Sequence, residues 1–179
     1  VRKNHYSASL FEPNNLTFEG ENLQNGDYVM RIGMDNYTDI VAMQMDIHVI
    51  EGMTTSGTFM QVTQRLANHS WTLIKVNATT YRFVAFSLTN SAIAGNEGKL
   101  FDLTFVPDEG VVYKDTPILI DNVVLSGADG RNYSSQPSLN ITAGYRNFYV
   151  RFVCDGEMLG ESFQSKGTDI VYPQLPEKT

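Results

Sequence analysis

Between Val41 and Val49 apolar and polar side chains alternate strictly. Val41, Met43, Met45, Ile47 and Val49 take one parity; Ala42, Gln44, Asp46 and His48 take the other. Successive side chains of a strand point to opposite faces, so this stretch predicts a strand with one oily face and one polar face. Such a strand belongs to a sheet packed on a core from one side and wet on the other. The period recurs just upstream, where Tyr28, Met30, Ile32 and Met34 share a side. It returns downstream in Lys99 to Val106, which puts Phe101, Leu103 and Phe105 inward and Asp102 and Thr104 outward.

Turn signals break the chain at roughly eight- to twelve-residue intervals, the rhythm of an all-β sandwich. Further strands are predicted at 14–20, 71–78, 80–88, 118–125 and 138–143. The segment 80–88 is apolar at nearly every position and reads as a central strand. Asp121 and Asn122, in the middle of an apolar run, predict a bulge. Thr58 to Leu66 fits a strand or a single helical turn; Thr and Val favour the strand. Asn90 to Gly98 is a loop and Gly127 to Gly130 a turn. No longer stretch has helical period. Residues 1–13, ending at Pro13, read as a lead-in or edge strand, and 14–144 as the sandwich. After Gly144 the character changes. Phe148, Val150, Phe152 and Cys154 alternate with Tyr149, Arg151 and Val153, and Asp155-Gly156 predicts the tight turn of a hairpin within 145–179.

Charge and cysteine content narrow the classes. The 179 residues carry a formal net charge of -7, with nine basic and fifteen acidic residues before Gly144 and four and five after it. An acidic surface repels phosphate backbones, which argues against nucleic acid. Cys154 is the single cysteine, so no internal disulfide can form; it reads as a small buried hydrophobe rather than a reactive thiol. No apolar run approaches the roughly 20 residues of a membrane helix, so no membrane insertion is expected. No signal peptide is visible, and Val1 in place of Met is what a processed or trimmed N-terminus leaves.

The order of motifs resembles a cohesin-type domain. Two segments carry the resemblance: GDYVMRIGMDNYTDIVAMQMDIHVIEGM (Gly26 to Met53), and YRFVAFSLTNSAIAGNEGKLFDLTFV (Tyr81 to Val106) followed by ILIDNVVLSGADG (Ile118 to Gly130). A strand after a Gly-Asp turn leads to Met-Asp-Asn and an alternating strand. Then come an Ala-Phe-Ser strand, a Gly-rich loop running into a Leu-Thr-Phe strand, and Asn-Val-Val-Leu-Ser before a Gly-bearing turn. The dialect, with QRLANHS between, is similar to cohesin-like modules of bacterial surface proteins. The tail from Tyr149 to Thr179 resembles the opening of the internalin-type B-repeat, or Listeria–Bacteroides repeat, and stops before that repeat's Gly-Tyr-Phe-Trp part. These resemblances imply a cohesin-like jelly-roll β-sandwich followed by a partial β-grasp extension. They imply an extracellular or cell-surface bacterial protein without a cofactor. They also imply a dockerin-like or other surface protein bound in trans on one sheet face. A carbohydrate-binding module on the same fold and a structural spacer without ligand are the alternatives, since fold alone does not choose.

Candidate sites follow from these readings. Gln44, Asp46 and His48 form the polar side of the alternating strand, which is either a recognition surface or simply its solvated face. The resemblance places this strand in the partner-binding sheet. Arg65 and His69, four apart, are a second partner-facing candidate, with a loop-holding role as the ordinary reading. For a glycan the candidates are the aromatics Trp71, Tyr81, Tyr113 and Tyr133, with core packing the ordinary use of the single Trp. Asp35, Asn36 and Asp39, and likewise Asp129 and Asn132, carry oxygens for Ca²⁺ but lack the spacing of an EF-hand; Asx turns account for them. His5, His48 and His69 show no metal-ligand spacing. The six Asn-x-Ser/Thr triplets, at Asn15, Asn36, Asn68, Asn77, Asn132 and Asn140, fit an Asn- and Thr-rich β protein. No catalytic motif or constellation is visible, so the chain is read as not an enzyme.

Overall fold

The computed structural model describes residues 14–114, 116–133, 139–142 and 147–165. Two sheets face each other. The first is built from β1 (Asn15–Asn22), β2 (Tyr28–Asp35) and β8 (Lys99–Pro107) in that order, all antiparallel. The short strands β4 (Met53–Thr54) and β5 (Met60–Val62) both pair with β8. The second sheet runs β10 (Leu139–Thr142), β9 (Pro117–Gly127), β3 (Ile40–His48), β7 (Thr80–Phe86), β6 (Ser70–Asn77). The segment 58–66 holds both alternatives open at the sequence level: β5, then a 3-10 turn over Gln64–Leu66. The lead-in 1–13, with His5, and the tail beyond 165 lie outside the described residues, as does the Cys154 side chain.

The alternating pattern makes the core. Val41, Met43, Met45, Ile47 and Val49 are all buried, as are Tyr28, Met30, Ile32 and Met34 from the facing sheet. Phe101, Leu103 and Phe105 are fully buried on β8. Aromatic pairs tie the sheets together: Phe83 meets Phe101 with ring centroids 4.2 Å apart, and Tyr81 meets Phe105 edge-on at 5.3 Å. Burying each such ring stabilises by about 1.5–3 kcal/mol, and a good ring pair adds about 0.5–1.5 kcal/mol. The Tyr81 hydroxyl, which burial would otherwise strand, donates to the Met53 carbonyl at 3.0 Å.

Irregularities fall where local chemistry asks for them. The pairing of β3 with β9 slips between Gln44 and Asp46, and Asn122 takes a left-handed φ of 49° there, a bulge at the predicted place. Gly33 stands where β2 slips against β8; a Cβ there would lie 2.8 Å from the Gly98 carbonyl oxygen. In the tail, β11 (Asn147–Cys154) and β12 (Glu157–Ser165) form a hairpin. Its turn is Asp155-Gly156, with φ of 51° and 84°, the two positive values a two-residue hairpin loop needs.

Candidate functional site

Strand register assembles one continuous surface on the second sheet. Gln44 on β3 lies opposite Val84 on β7 and Val124 on β9, and Val84 lies opposite Thr72 on β6. The next row is Asp46, Arg82 and Ile74, with Asp121 across the bulge. To the other side come Ala42, Phe86, Ser70 and Ser126. Opposed residues share a face, so the outer side of this sheet carries all of them. β7 is central, as its apolar run predicts, yet only Tyr81, Phe83 and Ala85 enter the core. The other parity is left toward solvent: Val84 half-buried, Phe86 39% exposed and, on β6, Ile74 48% exposed. The outer face is therefore not simply polar. It pairs an apolar strip with an ionic cluster, a composition suited to contact with another surface.

The ionic cluster is pre-bonded. Arg82 donates from Nε and Nη2 to the two Asp46 oxygens at 2.7 and 2.8 Å, a bidentate fork. Asn122, turned onto the same outer face by the bulge, donates to Asp46 Oδ2 at 3.1 Å. The Arg82 bonds hold the Asp46 carboxyl below the usual carboxylate range, against the opposing effect of its burial. Asp46 thus corrects the expectation of a solvated polar face, because at 7% exposure it is buried under its partners. His48 Nε2 lies 2.7 Å from Asp121 Oδ1, and Nδ1 3.1 Å from the Thr80 hydroxyl. A carboxylate only accepts, so Nε2 donates to Asp121.

Gln44, Asp46 and His48 thus sit together; Arg65 and His69 do not join them. Arg65, on the 3-10 turn, spends its donors on the carbonyls of Met34, Ala94, Gly95 and Gly98 and on Asn36 Oδ1. It braces loops. His69 is buried, its ring nitrogens lack a partner at bonding geometry, and burial holds its pKa down, with backbone groups of Val41 and Ser91 offsetting part of the effect. A buried ring cannot meet a partner, which removes His69 from the docking set.

The four aromatic candidates are not a row. Tyr81 is 2% exposed in the core. Tyr113 donates to the Gly26 carbonyl at 3.0 Å, and Tyr133 to Asp129 at 2.6 Å. Trp71 is 36% exposed on edge strand β6, more open than core packing predicts. Of the Ca²⁺ candidates, Asn36 accepts from Arg65 and donates to the Thr38 carbonyl at 3.0 Å. Asp129 accepts the Arg131 N–H at 3.0 Å.

Sequence reasoning passed over Arg82, Asn122, Ile74, Val84, Phe86 and Val124. For Arg82, Val84 and Phe86 the signal was available: once Tyr81, Phe83 and Ala85 are assigned inward, strand parity sends the others out. Asn122 needed the bulge, which re-aims its side chain.

No protein-family model matches the sequence, and no curated protein matches it. Solved structures do. The cohesin CaCohA2 of Clostridium acetobutylicum, in its complex with CaDoc0917, superimposes with a TM-score of 0.57 at 14% identity, over 72% of this chain and 99% of that one. A non-cellulosomal cohesin from the archaeon Archaeoglobus fulgidus gives 0.51 at 10% identity, over 72% and 91%. The OlpA cohesin of Clostridium thermocellum, in a type I cohesin–dockerin complex, gives 0.51 at 11%, over 73% and 99%. At these identities the likeness speaks for the backbone: the two sheets of this chain form a jelly-roll β-sandwich with the fold of cohesin modules.

Proposed function

We propose that the chain is a non-catalytic interaction module that docks a protein partner in trans on the outer face of the second sheet. The observation that carries this is the face itself. Ile74, Val84, Phe86 and Val124 leave apolar surface open beside a charged cluster whose members are already bonded to one another. Apolar strips next to fixed charges give a partner both burial and register. The structural neighbours add support, since the complexes named for two of them pair a cohesin with a dockerin or a Doc partner. A dockerin-like helical partner and an extracellular or cell-surface bacterial setting follow from this reading. The B-repeat reading of the tail rests on its sequence pattern alone; no family model matches it.

The test is capture from the source organism's surface and secreted fraction, with the whole chain as bait. One partner should be retained by the parent, and retained at least about tenfold less by Ile74→Lys and by Gln44→Lys. Equal retention by parent and variants would move docking off this face. No retained protein would leave the chain as a spacer between modules.

A further inference from the structure

The second sheet ends in a strand that nothing described so far uses as an edge. Among the described residues β6 pairs with β7 alone. It is exposed at every position except Leu73, which is half-buried against the core. One face on a core should bury every second residue of a strand. Trp71 and Lys75 share the side of Leu73, yet both stay outside. β6 therefore overhangs the core, with both of its faces in water.

Such an edge is a template for another strand, because alternate N–H and C=O groups point away from β7. Edges that must stay single are blunted by proline, by bulges, by shortness or by several charges. β6 has eight residues, no proline and one charge, Lys75. Its pairing with β7 slips only at the end, between Lys75 and Asn77. Thr72, Ile74 and Val76 are β-branched, the residue type that pairs well across strands. Ile74 and Val76 lie open to solvent.

The order of residues in β6 also selects the occupant. An antiparallel second copy, with the two-fold axis at Leu73, sets Trp71 opposite Lys75, Thr72 opposite Ile74 and Ser70 opposite Val76. Each pair then occurs twice, as two-fold symmetry requires. The single charge never meets itself. Lys75 falls against the Trp71 of the second copy, a pairing of ammonium with an aromatic face. Lys75 already makes a contact of that kind within the chain, with Nζ 5.8 Å from the Tyr81 ring centroid. A foreign strand would have to bring a matching order of residues, whereas a second copy supplies it.

We propose that the chain forms a two-fold homodimer by antiparallel pairing of β6 with β6, which joins two five-stranded sheets into one continuous sheet. The axis stands perpendicular to that sheet, so the outer faces of both copies lie on the same side. The proposal does not rest on the docking reading, since Gln44 lies two strands in from the edge.

The experiment is sedimentation velocity on the intact chain, from about 1 μM to about 1 mM. The parent should pass reversibly from monomer to dimer. Trp71→Lys sets like charges opposite each other twice, and should raise the dissociation constant by about tenfold or more. Trp71→Glu removes the same ring but opposes Lys75 with a carboxylate, and should keep the dimer. Gln44→Lys, on the docking face, should leave it unchanged. The proposal is overturned by a parent that stays monomeric throughout, by a dimer that survives Trp71→Lys, by equal weakening in Trp71→Lys and Trp71→Glu, or by a dimer lost through Gln44→Lys.

Discussion

At the scale of single residues, Arg65 does more for this fold than its place on a short turn suggests. Its guanidinium joins four backbone carbonyls and one amide oxygen, contributed by segments on either side of it in sequence. A lysine offers one ammonium in place of a planar fork. Arg65→Lys should therefore lower the unfolding free energy by about 1.5–3 kcal/mol, the range for charged hydrogen bonds, as read by urea titration. His69 yields a pH prediction. Burial holds its pKa below the ordinary 6.5, so the unfolded chain takes up the proton more readily than the folded one. Stability from this group is complete above the unfolded value and is lost as pH falls below about 6.5. The unfolding free energy should decline between pH 7.5 and 5 more steeply in the parent than in His69→Leu. Parallel curves would show that His69 is not the titrating group. The loop-holding role was the ordinary sequence reading for Arg65, but its acceptors, which span Met34 to Gly98, were not legible, and nothing local distinguishes a buried histidine from a wet one.

At the scale of elements, the close approach of β2 and β8 is the sharpest constraint. The Gly98 carbonyl accepts from the Met34 N–H at 3.0 Å and from Arg65 Nη1 at 2.6 Å, so it cannot retreat from a new methyl group on Gly33. Gly33→Ala should cost about 1–3 kcal/mol, as overpacking does, and a thermal melt measures it. An unchanged midpoint would mean that β2 can shift. Strand positions were legible because period two is local; the Val41–Val49 alternation and the Asp121-Asn122 bulge both appear where the residues place them. What eluded that reading was β7. An all-apolar run looks buried on both faces, yet strand parity turns Phe86 and Val84 away from the core, Phe86 exposed and Val84 half-buried.

At the scale of the whole molecule, the buried cluster among the described residues runs from Leu16 to Leu125, carried by the two large sheets together with Leu66 of the 3-10 turn and Ile93 of the β7–β8 connection. Residues 14–144 should accordingly fold without the tail. Trp71, on the exposed edge strand, reports tertiary structure, and far-UV circular dichroism reports the sheets. The two should give one coincident denaturation curve for this fragment. Separate transitions would show that the β11–β12 hairpin is needed to complete the sandwich.

The sequence by itself determined the fold class, most strand positions, the core parity and the turn at Asp155-Gly156, because each follows from spacing within a few residues. It also supplied the motif order that resembles cohesins. Tertiary structure alone decided which residues meet. Strand register brought Arg82 to Asp46 and Asp121 to His48 across tens of residues. Packing closed over Tyr81 and His69 and left Ile74, Phe86 and Tyr37 outside. The physical reason is that periodicity fixes the side of a strand on which a residue lies, whereas a site is made by neighbours that only strand pairing and loop convergence bring together.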